Sequence, residues 1–150
     1  EAGYWAAMPV LVGIMGALVI PRLATPQHRH QVLRGLFLSV AVGCALYATT
    51  STGPGLVAGL AFHGIAAASM MTVLILTMVE LPDVGIGRAG TATGLFFSAA
   101  EFGGVAGPVA LGVLYDLTGG FGAGLGLFVG IGCALFALVS LLGGREKKVT

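Results

Sequence analysis

The sequence predicts an all-α membrane protein with five transmembrane helices, and three observations carry that reading. The first is composition. Of 150 residues, 57% are apolar and 9% are charged, where an ordinary soluble domain carries about 25% charged residues. Seven Lys and Arg with six Asp and Glu cannot give a polar surface to a chain of mean hydropathy +1.00. The solvent is therefore lipid over much of its length. The second is segmentation: apolar runs near the ~20 residues that a ~30 Å hydrocarbon layer requires are separated by short turns. The ~10-residue alternating strands of a lipid-exposed barrel are missing. The third is charge sidedness, since five spans put every Lys and Arg on one side of the membrane.

The spans follow in order. Segment one covers residues 4–23, with Tyr4 and Trp5 at its outer boundary as interfacial anchors. Segment two, the shortest, covers 33–50, and segment three covers 55–79. Segment four covers 89–115 and segment five 121–142, leaving a tail at 143–150. Each break carries turn chemistry: Thr25-Pro26-Gln27-His28, Ser51-Thr52-Gly53-Pro54, Leu81-Pro82-Asp83-Val84-Gly85 and Asp116-Leu117-Thr118-Gly119-Gly120. The 26 glycines follow no collagen period and sit inside apolar runs, where they let membrane helices approach closely.

Arg22, Arg29 and Arg34 flank the first connection, Arg88 lies at the third, and Arg145, Lys147 and Lys148 are in the tail. Scattered at random, seven basic residues would share one side in about one case in 60, whereas the positive-inside rule predicts the sharing. The tail is thus expected in the cytoplasm and Glu1 near the outer face. No basic n-region or A-x-A site marks a signal peptide. The start reads as a truncation inside a larger protein, and seven missing helices would fit a twelve-helix transporter. The net charge of +1 gives no reason to expect a nucleic acid partner. Cys44 and Cys133 lie in apolar runs without metal or CxxC spacing and read as small buried thiols.

Glu101 sits almost at the centre of segment four, where a charge costs about 2.5–3.5 kcal/mol on insertion scales. Such residues turn toward a bundle interior or a water-filled cavity. At 100° per residue, Gly90, Gly94, Phe97, Ser98, Gly104, Val105, Pro108 and Gly112 fall within about 60° of it. The far face holds Leu95, Phe96, Val113 and Leu114 with a small-residue patch of Ala99, Gly103, Ala106 and Ala110, which suits a second close helix contact. Two readings of Glu101 stand side by side. One is a proton-coupling or substrate-contacting carboxylate whose pKa burial would raise. The other is an uncharged side chain hydrogen-bonded across a helix interface.

His63 is the other ionisable group well inside a span, in the outer half of segment three. It reads either as part of a proton path, since His titrates near neutral pH, or as a ring bonded to a backbone carbonyl. Segments three and four are sequential neighbours joined by a short turn, which leaves room for His63 and Glu101 to lie close. Ser69, Thr72 and Thr77 are weaker candidates, because such hydroxyls often bond to their own helix. His28 and His30 read as solvated groups of a basic cytoplasmic loop.

Segment four also carries a longer pattern: Gly94, Gly103, Gly107-Pro108 and Gly112, followed by Leu114-Tyr115-Asp116-Leu117-Thr118-Gly119. This resembles the glycine-proline signature of major facilitator superfamily transporters, as it appears in their eleventh helix and outer turn. Leu111 stands where that signature has a glycine doublet with Gly112. Gly16, Pro21-Arg22-Leu23 and the cluster from Arg29 to Arg34 resemble the family's cytoplasmic loop between helices eight and nine, without its acidic residue. The resemblance implies a partial C-terminal bundle of a twelve-helix fold, with segments one to five as helices eight to twelve. It implies segments one, three and four around a central cavity and two and five outside. Segments two and five accordingly contain no carboxylate, His, Lys or Arg in their interiors.

The same resemblance implies secondary active transport by alternating access, in which two bundles rock around a midplane site. Glu101 and His63 would be the proton-coupling candidates, with Ser98 and Phe97 lining the cavity. Gly94, Gly103, Gly107, Pro108 and Gly112 would provide close packing and gating. The substrate would be a small polar solute such as an organic anion, moved by proton symport. The expected partners are the lipid bilayer, the missing N-terminal helices of the same chain and the solute. Neither a cofactor nor a metal is expected. The protein would lie in a bacterial inner (plasma) membrane with its C-terminus cytoplasmic. The rival class is a non-transporting membrane scaffold or assembly subunit, with Glu101 as interhelical glue. Enzymatic chemistry is not expected, because no metal triad, nucleophile elbow or Ser–His pair appears; His63 and Ser69 are neither three nor four residues apart.

Overall fold

The computed structural model describes residues 2–50, 52–81 and 84–146, and the side chains of these except 2–6, 86 and 143–146. Among the described residues there are five α-helices and no strand: α1 (Ala2–Leu23), α2 (Arg29–Thr49), α3 (Pro54–Val79), α4 (Gly85–Thr118) and α5 (Gly122–Glu146). Their boundaries follow from local chemistry. Pro26 disfavours helical backbone at Thr25, so α1 stops just before it. Gly53 adopts φ 83 and is followed by Pro54 at the first turn of α3, a conformation open to glycine and a position suited to proline. Gly119 caps α4 at φ 72, donating its N–H to the Tyr115 carbonyl at 2.8 Å.

Several expected boundaries move, and α5 runs on to Glu146, into the expected tail. Segment two starts at Arg29 instead of 33, so the basic cluster Arg29 to Arg34 forms the first turns of a helix and not a loop. Segment four extends to 34 residues, Gly85–Thr118, roughly 51 Å at 1.5 Å per residue. Among the described residues, four helical stretches are long and apolar enough to cross a membrane: Arg29–Thr49, Pro54–Val79, Gly87–Thr118 and Gly122–Leu142. The expected fifth span, α1, is a helix of 22 residues; its described side chains form the apolar stretch Ala7–Leu23, shorter than the other four. Large apolar side chains lie bare on the outside, among them Leu95, Phe102, Val105, Leu117 and Leu141, so the chain is compatible with an integral membrane protein. The anchors Tyr4 and Trp5 and the tail charges Arg145, Lys147 and Lys148 have side chains outside the described residues.

The packing order differs from the chain order. α3 packs against α1 on one side and α2 on the other, and α2 packs in turn against α5. Leu33, Leu36 and Phe37 of α2 meet Ala66 and Val73 of α3, with Leu135, Phe136 and Val139 of α5 laid against them. Glycines set the closest approaches. A Cβ at Gly64 would clash with the Pro9 carbonyl oxygen and stand 2.9 Å from the Pro9 Cα, and one at Gly16 would stand 3.1 Å from the Ile65 Cα. Gly43 against Gly59 does the same for α2 and α3, and Gly132 against Ala41 for α5 and α2. In lipid, where apolar burial gives little drive, such contacts hold helices together.

Polar bonds fix which helix ends lie together. Arg29, at the start of α2, donates to the Leu76 carbonyl and to Glu80 at the end of α3. Arg34 donates to the Ser140 carbonyl near the end of α5 at 3.0 Å. The first connection, the end of α3 and the end of α5 therefore share one end of the bundle. That is the grouping into which the basic residues fall.

Candidate functional site

Glu101 stands at the midpoint of α4, and its face is open. Glu101, Gly90, Gly94, Phe97, Ser98, Gly104, Val105, Pro108 and Gly112 are all exposed. Thr93, Phe96, Ala100, Gly107, Leu111 and Leu114 are half-buried, a stripe centred about 110° round the helix from Glu101. This stripe is the flank that α4 turns to the rest of the chain. The small-residue patch Ala99, Gly103, Ala106 and Ala110 is also exposed, so the second close contact expected there is not made within the chain. Nothing lies within 4 Å of a Cβ placed on Gly94, Gly103, Gly107 or Gly112. Pro108 removes one backbone donor from α4. Ser98 donates to the Gly94 carbonyl of its own helix at 2.9 Å. Phe97 rests edge-on against Phe96.

His63 has a different setting. Its ring lines a groove of about 420 Å3 between α1 and α3, walled by Pro9, Gly13, Ala17, Gly64 and Ala67. Small residues make this groove, because they leave room beside a seam that glycines hold close. Tyr47 of α2 approaches the imidazole at 5.9 Å between ring centroids, tilted by 58°. Nδ1 of His63 is buried and has no hydrogen-bond partner among the described residues, so the carbonyl-bonded alternative is not seen at that nitrogen. Ser69, six residues further along the seam, is fully buried with an unpartnered hydroxyl; a Cβ on Gly16 would stand 3.1 Å from it. Thr77 bonds back to the Val73 carbonyl at 2.7 Å, as such hydroxyls often do.

The groove at His63 is walled by α1 and α3, and Glu101 is not among its lining residues. Among the described residues no group of three or more His, Cys, Asp or Glu side chains is placed to hold a metal ion. Cys44 is buried, but Cys133 is exposed, which corrects the reading of both as buried thiols.

Sequence reasoning missed the strongest polar contact. Arg29 is 6% exposed, and its guanidinium pairs with Glu80 through both Nη atoms. It also donates to the Ala24 carbonyl from Nε and Nη2 at 3.4 and 3.3 Å, and to the Leu76 carbonyl at 3.4 Å. The hydrogen bond from Arg29 holds the Glu80 carboxyl below its usual range, against a weaker upward push from desolvation. The signal available in the sequence was that both residues border connections on the same side. No known protein family, curated protein or solved structure matches the chain.

Proposed function

We propose that the chain is the C-terminal part of a major facilitator transporter that moves a small polar solute, such as an organic anion, by proton-coupled alternating access. The observation that carries this reading is Glu101: a carboxylate at the midpoint of a 34-residue apolar helix, on a glycine-rich face that its own chain leaves open. A carboxylate at that depth needs a cavity or a partner helix, and the glycines permit either to come close. In this reading the open face meets the other half of the transporter across the central cavity. The unpartnered Nδ1 of His63 in the α1–α3 groove supplies a second group able to take up a proton. The packing of α2 on α5 suits the outer place that the resemblance implies for them. The solute binds without covalent chemistry.

The test is uptake by the full-length protein in proteoliposomes under an imposed pH gradient. Glu101→Gln is expected to abolish gradient-driven accumulation while solute exchange at equal pH persists. Accumulation that survives this substitution removes Glu101 from coupling. His63→Ala is expected to shift the pH dependence of uptake, and an unchanged profile takes His63 out of the proton path. The open face of α4 also favours a second reading, a non-transporting scaffold that docks another helix over Glu101. It predicts no solute flux from the wild type and a stoichiometric membrane complex that Gly94→Leu, on the Glu101 face, disrupts.

A further inference from the structure

At the basic end of the bundle, the connection from α1 to α2 borders an open cleft of about 540 Å3 lined by Arg22, Leu23, Thr25, His28, Gln31 and Val32. Its chemistry is two-sided. Arg22, Thr25, His28 and Gln31 are polar and exposed, while Leu23 and Val32 make an apolar floor. That floor continues along the outside of α1. Leu23, Val19 and Met15 are spaced by four residues on one helix face and are 57%, 44% and 62% exposed.

The polar side is arranged for an anion. Arg22 has no ion pair among the described residues, unlike Arg29, which Glu80 occupies. The Thr25 hydroxyl lies 3.1 Å from Nδ1 of His28. With that hydroxyl donating, the ring proton is left on Nε2, a donor for a ligand. His28 precedes α2 without capping it through its side chain, so the first N–H groups of α2 add positive partial charge beside the cleft.

We propose that this cleft holds the phosphate headgroup of an anionic phospholipid, with acyl chains lying along Leu23, Val19 and Met15. Lipid is favoured over free phosphate because the apolar floor runs on into the exposed side of a helix in a membrane-type bundle. A soluble ion would leave that surface unused. The cleft lies at the end shared by the basic residues, and clusters of Lys and Arg at that interface attract anionic leaflets. The proposal rests on membrane embedding and not on the transport reading, so either can fail alone.

The test uses the protein purified in neutral detergent, stripped of lipid and titrated with phosphatidylglycerol or phosphatidylcholine, with bound lipid counted by native mass spectrometry. Phosphatidylglycerol is expected to bind about tenfold more tightly than phosphatidylcholine. Arg22→Ala should weaken phosphatidylglycerol about fivefold, the loss of one surface cation, and Arg22→Lys should keep most of the affinity. Arg22→Gln replaces the alanine variant if that does not fold. Equal affinity for the two lipids overturns the proposal, and so does an Arg88→Ala loss as large as that of Arg22→Ala, which would indicate general attraction to the basic end. Displacement of phosphatidylglycerol by inorganic phosphate at the lipid's own concentration would make the cleft a free-phosphate site and overturn it as well.

Discussion

Arg29 begins one helix and holds the ends of two others. Its acceptors are the Ala24 carbonyl just past α1, the Leu76 carbonyl in the last turn of α3, and the Glu80 carboxylate that follows it. Carbonyls at helix C-termini carry negative partial charge, and one guanidinium bonds two of them at once, although the Leu76 carbonyl also accepts the Glu80 N–H. Arg29→Ala would remove these bonds and free a half-exposed Glu80 carboxylate, and we expect a loss on the order of 2 kcal/mol, the scale of hydrogen bonds from charged donors. Thermal denaturation in detergent measures it. The partner predicts a pH dependence. Because the folded-state pKa of Glu80 is lowered, its contribution is present above the ordinary carboxylate value of about 4.3 and fades as pH falls through the lowered one. The melting temperature of the wild type should therefore drop in that acid range, and Glu80→Gln should lack this drop. Equal acid sensitivity in both proteins would assign the drop to other carboxylates. No local pattern announced this pair: Arg29 read as one member of a basic cluster at the first connection, and its partner lies 51 residues away.

At the scale of the helix, glycine content was legible and glycine partners were not. The apolar runs and the Pro and Gly turns placed five helices to within a few residues, because span length and turn chemistry are local properties. Which helix meets which is not local. Gly94, Gly103, Gly107 and Gly112 form the more conspicuous pattern, yet the close contacts within the chain use other glycines, among them Gly13, Gly16, Gly43, Gly59, Gly64, Gly124 and Gly132. This difference gives opposite predictions for one substitution. A methyl at Gly64 would meet the backbone of Pro9, which cannot rotate aside, so Gly64→Ala should cost about 1–3 kcal/mol as overpacking does. A methyl at Gly112, on the open Glu101 face, meets nothing, so Gly112→Ala should leave this bundle as stable or raise its stability by about 0.5–1 kcal/mol through chain entropy. If that open face meets the missing helices, as the transport reading requires, the same substitution should lower solute flux without lowering stability. Denaturation and uptake measured on one pair of variants separate the two roles. A Gly64→Ala protein as stable as the wild type would contradict the α1–α3 seam described above.

For the molecule as a whole, the bundle is a row of α1, α3, α2 and α5 in packing order, with α4 joined by a single half-buried flank. Its helix ends are tied by Arg29 and Arg34, so the two ends of the bundle cannot be assigned to the membrane independently. If α1–α2 faces the cytoplasm, the ends of α3 and α5 face it too, and the α2–α3 and α4–α5 turns face outward. Single cysteines test this in a background where Cys44 and Cys133 are replaced by serine or alanine, so that no native thiol contributes label. Gln27, Thr52 and Asp116 are exposed positions at the three turns. In intact cells an impermeant thiol reagent should label Thr52→Cys and Asp116→Cys, and it should reach Gln27→Cys only after the membrane is opened. Labelling of Gln27→Cys alone would invert the orientation while keeping the bundle. Labelling of Gln27→Cys together with Thr52→Cys would mean that α2 does not cross, and that result would break the five-span reading, because α2 carries both arginines that bind the other helices.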